Sequence, residues 1–315
     1  MLPTTTLILP FTAPLNPYTS TLNDTVLPWA LDRKMLRVAE VSHIRHAHVD
    51  RLVGWAYPHA SKDALTVIHH WNLWLVLWED YASGAGHSAA LAQLRLQHRR
   101  FRAVLARRSA GNTPMERGLA DIVAMFAKRL PPRWLRQFAS TATNMLVSWE
   151  WEAQNRAQGL VPDVASYLAM RPVTLALLPY LDLLALELGR PLAPSARAQS
   201  LLQKAVLHAS LVIALANDLV SLDKELHADD GHNLVRILMD TEGHDLETSQ
   251  RMVIARHNTE MARFQISCAT LVTHHGSDTD ALLMMRTLKH WIAANMQWSA
   301  VSSRYQHPER ASVAA

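Results

Sequence analysis

With one cysteine, Cys268, in 315 residues, the chain can form no intrachain disulfide. A reducing compartment suits such a chain, and a cytoplasmic location is expected. Glycine is scarce at ten residues, and strand-like alternation is nearly absent, which leaves little to build a sheet from. The N-terminus (Met-Leu-Pro-Thr-Thr-Thr) has no basic stretch, and prolines interrupt its apolar run, so it does not read as a secretory leader. Long uninterrupted apolar runs are missing too. Leu175 to Leu188 carries Pro179, Asp182 and Glu187, and is too short and too broken to span a membrane. The net charge of +4 lacks a focus: basic residues are scattered or confined to short helical faces such as Gln97 to Arg108, with no aromatic-interleaved groove. Neither nucleic acid nor membrane is an expected partner, and a small anionic ligand is a better match for the mild positive excess.

What is present favours helices. Hydrophobic residues make up 49% and charged residues 18% of the chain, enough for a large core. Ala, Leu, Arg and Met, all good helix formers, carry the weight. Periodicity predicts helices at about 28–39, 43–57, 61–82, 88–108, 114–129, 131–157, 163–188, 195–226, 232–240, 244–275 and 279–303. Ser61, Asp163 after Pro162 and Ser195 after Pro194 are start signals, and Gly189 and Gly276 are stops. With no repeat, linker or shift in composition, the expectation is one all-α domain of ten or eleven helices over residues 28–305. An irregular Thr/Pro/Asn-rich arm would precede it over residues 1–27, and a disordered tail would follow over 306–315.

One helix has a polar face that needs explaining. Ala205 to Ala216 is apolar almost all round, the mark of a helix buried on every side. Asn217, Ser221 and Glu225 then follow at i, i+4 and i+8. Each step of four drifts only about 40° around the helix, so the three share one face. Burying such groups unpaired costs on the order of 1–3 kcal/mol each, and a divalent metal is one partner that would offset this.

A second set of hard-oxygen ligands stands at the end of an aromatic helix, where Glu79 and Asp80 follow Trp74 and Trp78. Mg²⁺ prefers oxygen ligands and often completes its shell with water and substrate phosphates. Two oxygen-bearing helix ends facing each other would therefore suit a Mg²⁺–diphosphate complex. An ordinary acidic last turn stopped by Gly84 explains Glu79 and Asp80 equally well on their own. Pro172 interrupts the helix that carries Arg171, which places that arginine at a kink. Near the C-terminus, Trp291 and Trp298 precede Arg304-Tyr305, a pair able to donate charge-assisted hydrogen bonds to phosphate. Core tryptophans and a terminal charged pair are the plainer reading of that stretch.

Together these residues resemble the bacterial class I terpene synthases. Asn217, Ser221 and Glu225, with Lys224, match the N-x-x-x-S-x-x-x-E metal triad of that family, and Arg171 falls where its diphosphate-sensing arginine stands. Arg304-Tyr305 match its terminal Arg-Tyr pair, with Trp298 six residues upstream. His232-Asn233 after the triad, and Pro10, Asn16-Pro17 and Trp29 near the start, are also familiar. The aspartate-rich motif, normally D-D-x-x-D, departs from the pattern: Glu79 stands first and Ser83 last.

The resemblance implies a class I terpenoid synthase fold with a deep apolar cavity and a cyclase of linear isoprenyl diphosphates, farnesyl diphosphate first among them. It implies three Mg²⁺ held by Glu79, Asp80, Asn217, Ser221 and Glu225. Arg171, Lys224, Arg304 and Tyr305 would bind the diphosphate and act in catalysis, and Trp78 and Trp298 would line the substrate cavity. It also implies an arm that closes over the site, and a homodimer is a common assembly. A non-catalytic isoprenoid-diphosphate-binding protein, and a chain-elongating transferase on the same fold, are the rivals; the transferase would carry two aspartate-rich motifs. Elsewhere, His43, His46, His48 and Asp50 do not converge as metal ligands would. Asp229-Asp230-Gly231 reads as a solvated turn, and the Trp71/Trp74 stripe as core.

Overall fold

The computed structural model describes residues 7–83, 88–227, 230–275 and 277–305, and among them every regular element is a helix. In chain order these are α1 (Leu22–Asp32), α2 (Val41–His46), α3 (Val49–Ala56), α4 (Lys62–Ser83), α5 (Ser88–Leu105), α6 (Pro114–Ala127) and α7 (Pro132–Gln158). Then follow α8 (Val164–Thr174), α9 (Leu177–Leu188), α10 (Pro194–Ala198), α11 (Ser200–His227), α12 (Leu234–Glu242), α13 (Leu246–His275) and α14 (Thr279–Val301). Short 3-10 turns at Thr19–Thr21, Val38–Glu40 and Ser303–Tyr305 complete the set among the described residues.

Among the described residues fourteen helices replace the ten or eleven expected, because three predicted helices are each divided. The stretch 43–57 breaks at His48, which adopts the left-handed conformation (φ 49°, ψ 37°) between α2 and α3. The stretch 163–188 breaks at Ala176 (φ 65°, ψ 11°) and not at Pro172, which lies inside α8 near its end. The stretch 195–226 divides at the extended Gln199, so Pro194 opens the short α10 and Ser195 caps nothing. The first helix also starts earlier than predicted, at Leu22, with Pro28 inside it. Other boundaries follow the local chemistry. The Asp163 side chain accepts from the Ser166 N–H to open α8, Ser61 Oγ accepts from the Ala64 N–H to open α4, and Gly189 ends α9 at φ 67°. Gly84, Asp229, Gly276 and the tail from 306 lie outside the described residues.

The reason α11 is apolar all round is its position. It packs along α13 on one side and α14, α8 and α12 on others, and nearly every residue from Ala209 to Leu222 is buried. Two stretches, 164–188 and 200–227, are long and apolar enough to cross a membrane. In this fold 56% and 72% of those windows are buried inside the protein, so core packing accounts for their hydropathy. Trp71 and Trp74 stack at 5.3 Å between ring centres, and Phe138 meets Trp71 edge-on at 4.9 Å. Both tryptophans are core.

The described residues of the N-terminal arm, 7–27, run along other parts of the protein than the cavity. The Ala13 backbone exchanges two hydrogen bonds with the Gln297 side chain on α14, and Phe11 meets Phe264 of α13 edge-on. The Asn16 amide donates to the carbonyls of Tyr57 and Ala60 after α3. The described arm residues strap α13, α14 and the α3–α4 turn, and none of them lines the central cavity.

Candidate active site

The central cavity is walled by α3, α4, α7, α8, α9, α11 and α14, and the chemistry concentrates at its mouth. On α11, Asn217, Ser221, Lys224 and Glu225 all face it. The Ser221 hydroxyl donates to the Asn217 carbonyl at 2.7 Å, one turn back. The Asn217 amide spans two other elements: Oδ1 accepts from Arg171 Nη2 at 2.8 Å, and Nδ2 donates to Tyr305 Oη at 3.1 Å. Glu225 accepts from the Asn233 amide at 2.7 Å, and desolvation beside Asp218 pushes its carboxyl up to about 7.

Arg171 lies in the last turn of α8, shortly before the left-handed Ala176 that separates α8 from α9. Its Nε and Nη2 reach Asp218 Oδ1 at 3.2 and 3.0 Å. Asp218 is fully buried, and its other oxygen accepts from Tyr167 Oη at 2.7 Å and from the Leu234 N–H at 3.1 Å. A buried ion pair is tolerated when hydrogen bonds satisfy its remaining lone pairs, as these do. Sequence reasoning misses Asp218, although it sits beside Asn217. It reaches Asn233 without a role for it; the Asn233 amide also donates to the Asp218 carbonyl at 2.7 Å.

Across the mouth, Arg304 makes a two-point pair with Asp80 at 2.7 and 2.9 Å, and Glu79 lies 3.8 Å from the same guanidinium. Burial would lower the Arg304 pKa, but the hydrogen-bonded Asp80 and the nearby Glu79 hold it above the usual value. Burial pushes the Tyr305 hydroxyl up to about 12, so it stays a neutral O–H group. Glu79 lines the cavity, whereas Asp80 lines a shallow groove on the other side of the α4 end.

The two tryptophans part company. Trp298 lines the cavity, its indole N–H donating to the Ala47 carbonyl at 2.8 Å and its ring edge-on to Tyr305. Trp78 points away, stacked on Tyr81 and donating to His98 Nε2 at 3.0 Å, while His98 Nδ1 pairs with Glu150 at 3.1 Å. Adjacent helix residues point about 100° apart, so a Glu79 that faces the cavity turns Trp78 from it. Asp230 is not in a solvated turn either. It pairs with Arg156 at 3.3 Å and with His232 at 2.8 Å.

Below the mouth the lining turns apolar, with Leu75, Val76, Ile213, Leu177, Trp149 and Trp291. Asn72 and Tyr180 form a closed polar pair there: Tyr180 Oη donates to Asn72 Oδ1 at 2.7 Å, and Asn72 Nδ2 donates to the Val49 carbonyl. Asn295 adds a further polar group to this part. For a divalent metal, the donor types at the mouth fit. Glu79, Asn217, Ser221 and Glu225 offer hard oxygens at the cavity, as Mg²⁺ prefers, while Asp80 faces the neighbouring groove and is held by Arg304. The raised Glu225 carboxyl marks a place where a cation would relieve buried negative charge.

A protein-family model described as terpene synthase family 2, C-terminal metal binding, matches residues 70–263. A (+)-T-muurolol synthase ((2E,6E)-farnesyl diphosphate cyclizing) of Roseiflexus castenholzii is 29% identical over 95% of this chain and 93% of its own length. A germacrene A synthase of Nostoc punctiforme is 26% identical over 96% and 95%. Among solved structures, germacradien-4-ol synthase from Streptomyces citricolor superposes with a TM-score of 0.79 at 20% identity, covering 93% of this chain and 97% of that one. The SVS_A2 protein from ancestral sequence reconstruction gives a TM-score of 0.82 at 20% identity, covering 93% and 89%.

Proposed function

This chain belongs to the terpene synthases of family 2, and from that premise we propose that it ionises a linear isoprenyl diphosphate, farnesyl diphosphate first among them, and cyclises the resulting cation. The observation that carries the reading is the division of one cavity. Cationic and oxygen-bearing side chains from α4, α8, α11 and the terminal turn crowd its mouth, over a lower part walled by aliphatic and aromatic side chains. A diphosphate belongs in the first and a hydrocarbon chain in the second.

Arg171, Lys224 and Arg304 neutralise charge that builds on the leaving diphosphate, and Tyr305 donates a neutral hydrogen bond to it. Arg171 is preset for this by Asp218 and Tyr167, which fix its guanidinium before substrate arrives. Asn217, Ser221 and Glu225 on one side and Glu79 and Asp80 on the other would hold Mg²⁺, three ions by the family pattern, which would supply Lewis-acid stabilisation of the leaving group. Once the diphosphate has left, an allylic cation must be kept from bulk water. The rings of Trp149, Tyr180, Trp291 and Trp298 offer electron-rich faces to migrating charge.

The test is direct. The purified protein is incubated with Mg²⁺ and, separately, C10, C15 and C20 isoprenyl diphosphates, with released diphosphate and volatile products measured. Release with a cyclic product, fastest for C15, is expected. No release from any of the three would overturn the reading in favour of a non-catalytic binder.

A further inference from the structure

The last turns of α4 carry Glu79 to the mouth, and Trp78 is the final large side chain there to be buried; Tyr81 is already exposed. Behind Trp78 stands His98 of α5, fully buried and engaged through both ring nitrogens. An indole N–H can only donate, so Trp78 Nε1 at 3.0 Å requires a bare lone pair on His98 Nε2. The proton then sits on Nδ1, which donates to Glu150 of α7 at 3.1 Å. Burial favours this neutral ring and holds the His98 pKa below its ordinary value. Arg95 and Arg102, one turn either side of His98 on α5, lie 3.8 and 3.7 Å from the Glu150 carboxylate. Phe101 meets Trp78 edge-on at 4.6 Å and completes its seat. None of these side chains lines the central cavity. Packing alone would not need the relay, since a phenylalanine at 78 and a leucine at 98 would leave no buried polar group to satisfy.

We propose that His98 is a positioning residue for the metal site: backed by Glu150, it fixes Trp78 and thereby the angle at which α4 presents Glu79 to the mouth. The inference rests on the metal–diphosphate reading above. Trp78 and Glu79 are consecutive and point about 100° apart around the helix axis, so whatever holds one sets the direction of the other. The need is greatest at this end of α4. The last four carbonyls of a helix have no partner within it, and its final turn frays readily. Mg²⁺ demands near-ideal octahedral geometry, so a small rotation of a ligand-bearing helix is felt as lost affinity. Glu79 also reaches one methylene further than an aspartate would, and a longer arm needs a firmer base. The α5 helix packs along α6 and α7, so the relay ties the end of α4 to a separate layer of the protein. The hydrogen bond makes that tie directional, fixing a ring rotation that apolar contact with Phe101 leaves loose. His98 acts only through Trp78.

The test compares wild type with His98→Leu, His98→Gln and Trp78→Phe. Binding of inorganic diphosphate in the presence of Mg²⁺ is followed by calorimetry, with Tm and the Mg²⁺ half-saturation of diphosphate release measured alongside. Groups that orient a metal ligand contribute about 10–100-fold to metal affinity, and His98, one residue further out, belongs at the low end. In His98→Leu the calorimetric affinity should therefore fall about tenfold, and the Mg²⁺ half-saturation should rise by a like factor. His98→Gln, whose amide offers an acceptor and a donor side by side, should return to within about threefold of wild type. Trp78→Phe keeps an aromatic ring and removes the donor; it should follow His98→Leu, and replaces it if that variant fails to fold by circular dichroism. A lowered Tm with unchanged affinity overturns the inference, because a merely structural histidine would behave so. His98→Gln as weak as His98→Leu overturns it as well. Calorimetric binding that shifts as expected, with no release from any isoprenyl diphosphate by wild type, supports the inference while overturning the cyclase reading. No binding of diphosphate by wild type overturns the metal-site reading and this inference with it.

Discussion

Asn217 and Asp218 are neighbours with different work, and their substitutions should separate cleanly. Asn217 is the partly exposed bridge between Arg171 and Tyr305, so Asn217→Ala should cut diphosphate release at least a hundredfold with little change in Tm. Asp218→Ala leaves the buried Arg171 charge, the Tyr167 hydroxyl and the Leu234 N–H without their acceptor. It should cost about 3–5 kcal/mol in chemical denaturation, the usual penalty for halving a buried pair. The polar face of α11 is legible in the sequence because helical period is a local property. Asp218 is not, because its side-chain partners lie 51 and 47 positions before it and 16 after. The expectation for Trp78 fails for a related reason: nearness in sequence to Glu79 is not nearness on a helix surface. A third residue-scale prediction concerns acid. His69 is fully buried, its Nε2 donating to Asn23 Oδ1 at 3.1 Å, and desolvation pushes its pKa down to about 3. The unfolded chain, with His69 near 6.5, binds the extra proton first. The stability that depends on a neutral His69 is therefore full above about pH 6.5 and is lost progressively as pH falls towards about 3. By about pH 4.5 the loss is about 3 kcal/mol. Urea unfolding at about pH 7.5 and about pH 4.5 should show this difference shrinking in His69→Gln.

Helices are legible as stretches of period, but their breaks are not. Three of the predicted helices divide at His48, Ala176 and Gln199, residues that carry no punctuation in the one-letter code. Tertiary packing imposes these breaks, and the obvious breaker, Pro172, is accommodated within the last turns of α8. Ala176 matters most, because its left-handed turn lines the cavity beside Arg171 and sets where α9 begins. A left-handed alanine costs about 1–2 kcal/mol relative to glycine in the same conformation, offset in part by the greater freedom of glycine in the unfolded chain. Ala176→Gly should therefore raise stability by about 0.5–1 kcal/mol in thermal denaturation. A fall would mean that the alanine methyl group makes contacts worth more than the strain.

At the scale of the whole molecule, the all-α class follows from composition and periodicity, and the cavity follows only from the resemblance. Its walls come from seven helices spread between residues 52 and 298, with the mouth completed at 305, and no local pattern encodes which faces meet. The arm is the clearest case. Its irregular composition is plain, yet its course along α13 and α14 depends on partners such as Asn258, Phe264 and Gln297, far away in sequence. Asn16 fastens it, donating to two carbonyls and accepting from the Tyr18 N–H while buried. Asn16→Ala should cost about 2–3 kcal/mol in stability and expose the arm to limited proteolysis.

Arg304 and Tyr305 follow the last helix, after the buried Ser302 has already tied the chain to the Ala47 carbonyl. A nonsense or frameshift allele that stops translation at codon 303 would thus spare every helix from α1 to α14 and remove both groups. Such a gene product should accumulate normally and give an unaltered far-ultraviolet circular dichroism spectrum while releasing no diphosphate. It would be a null allele that protein abundance alone cannot detect.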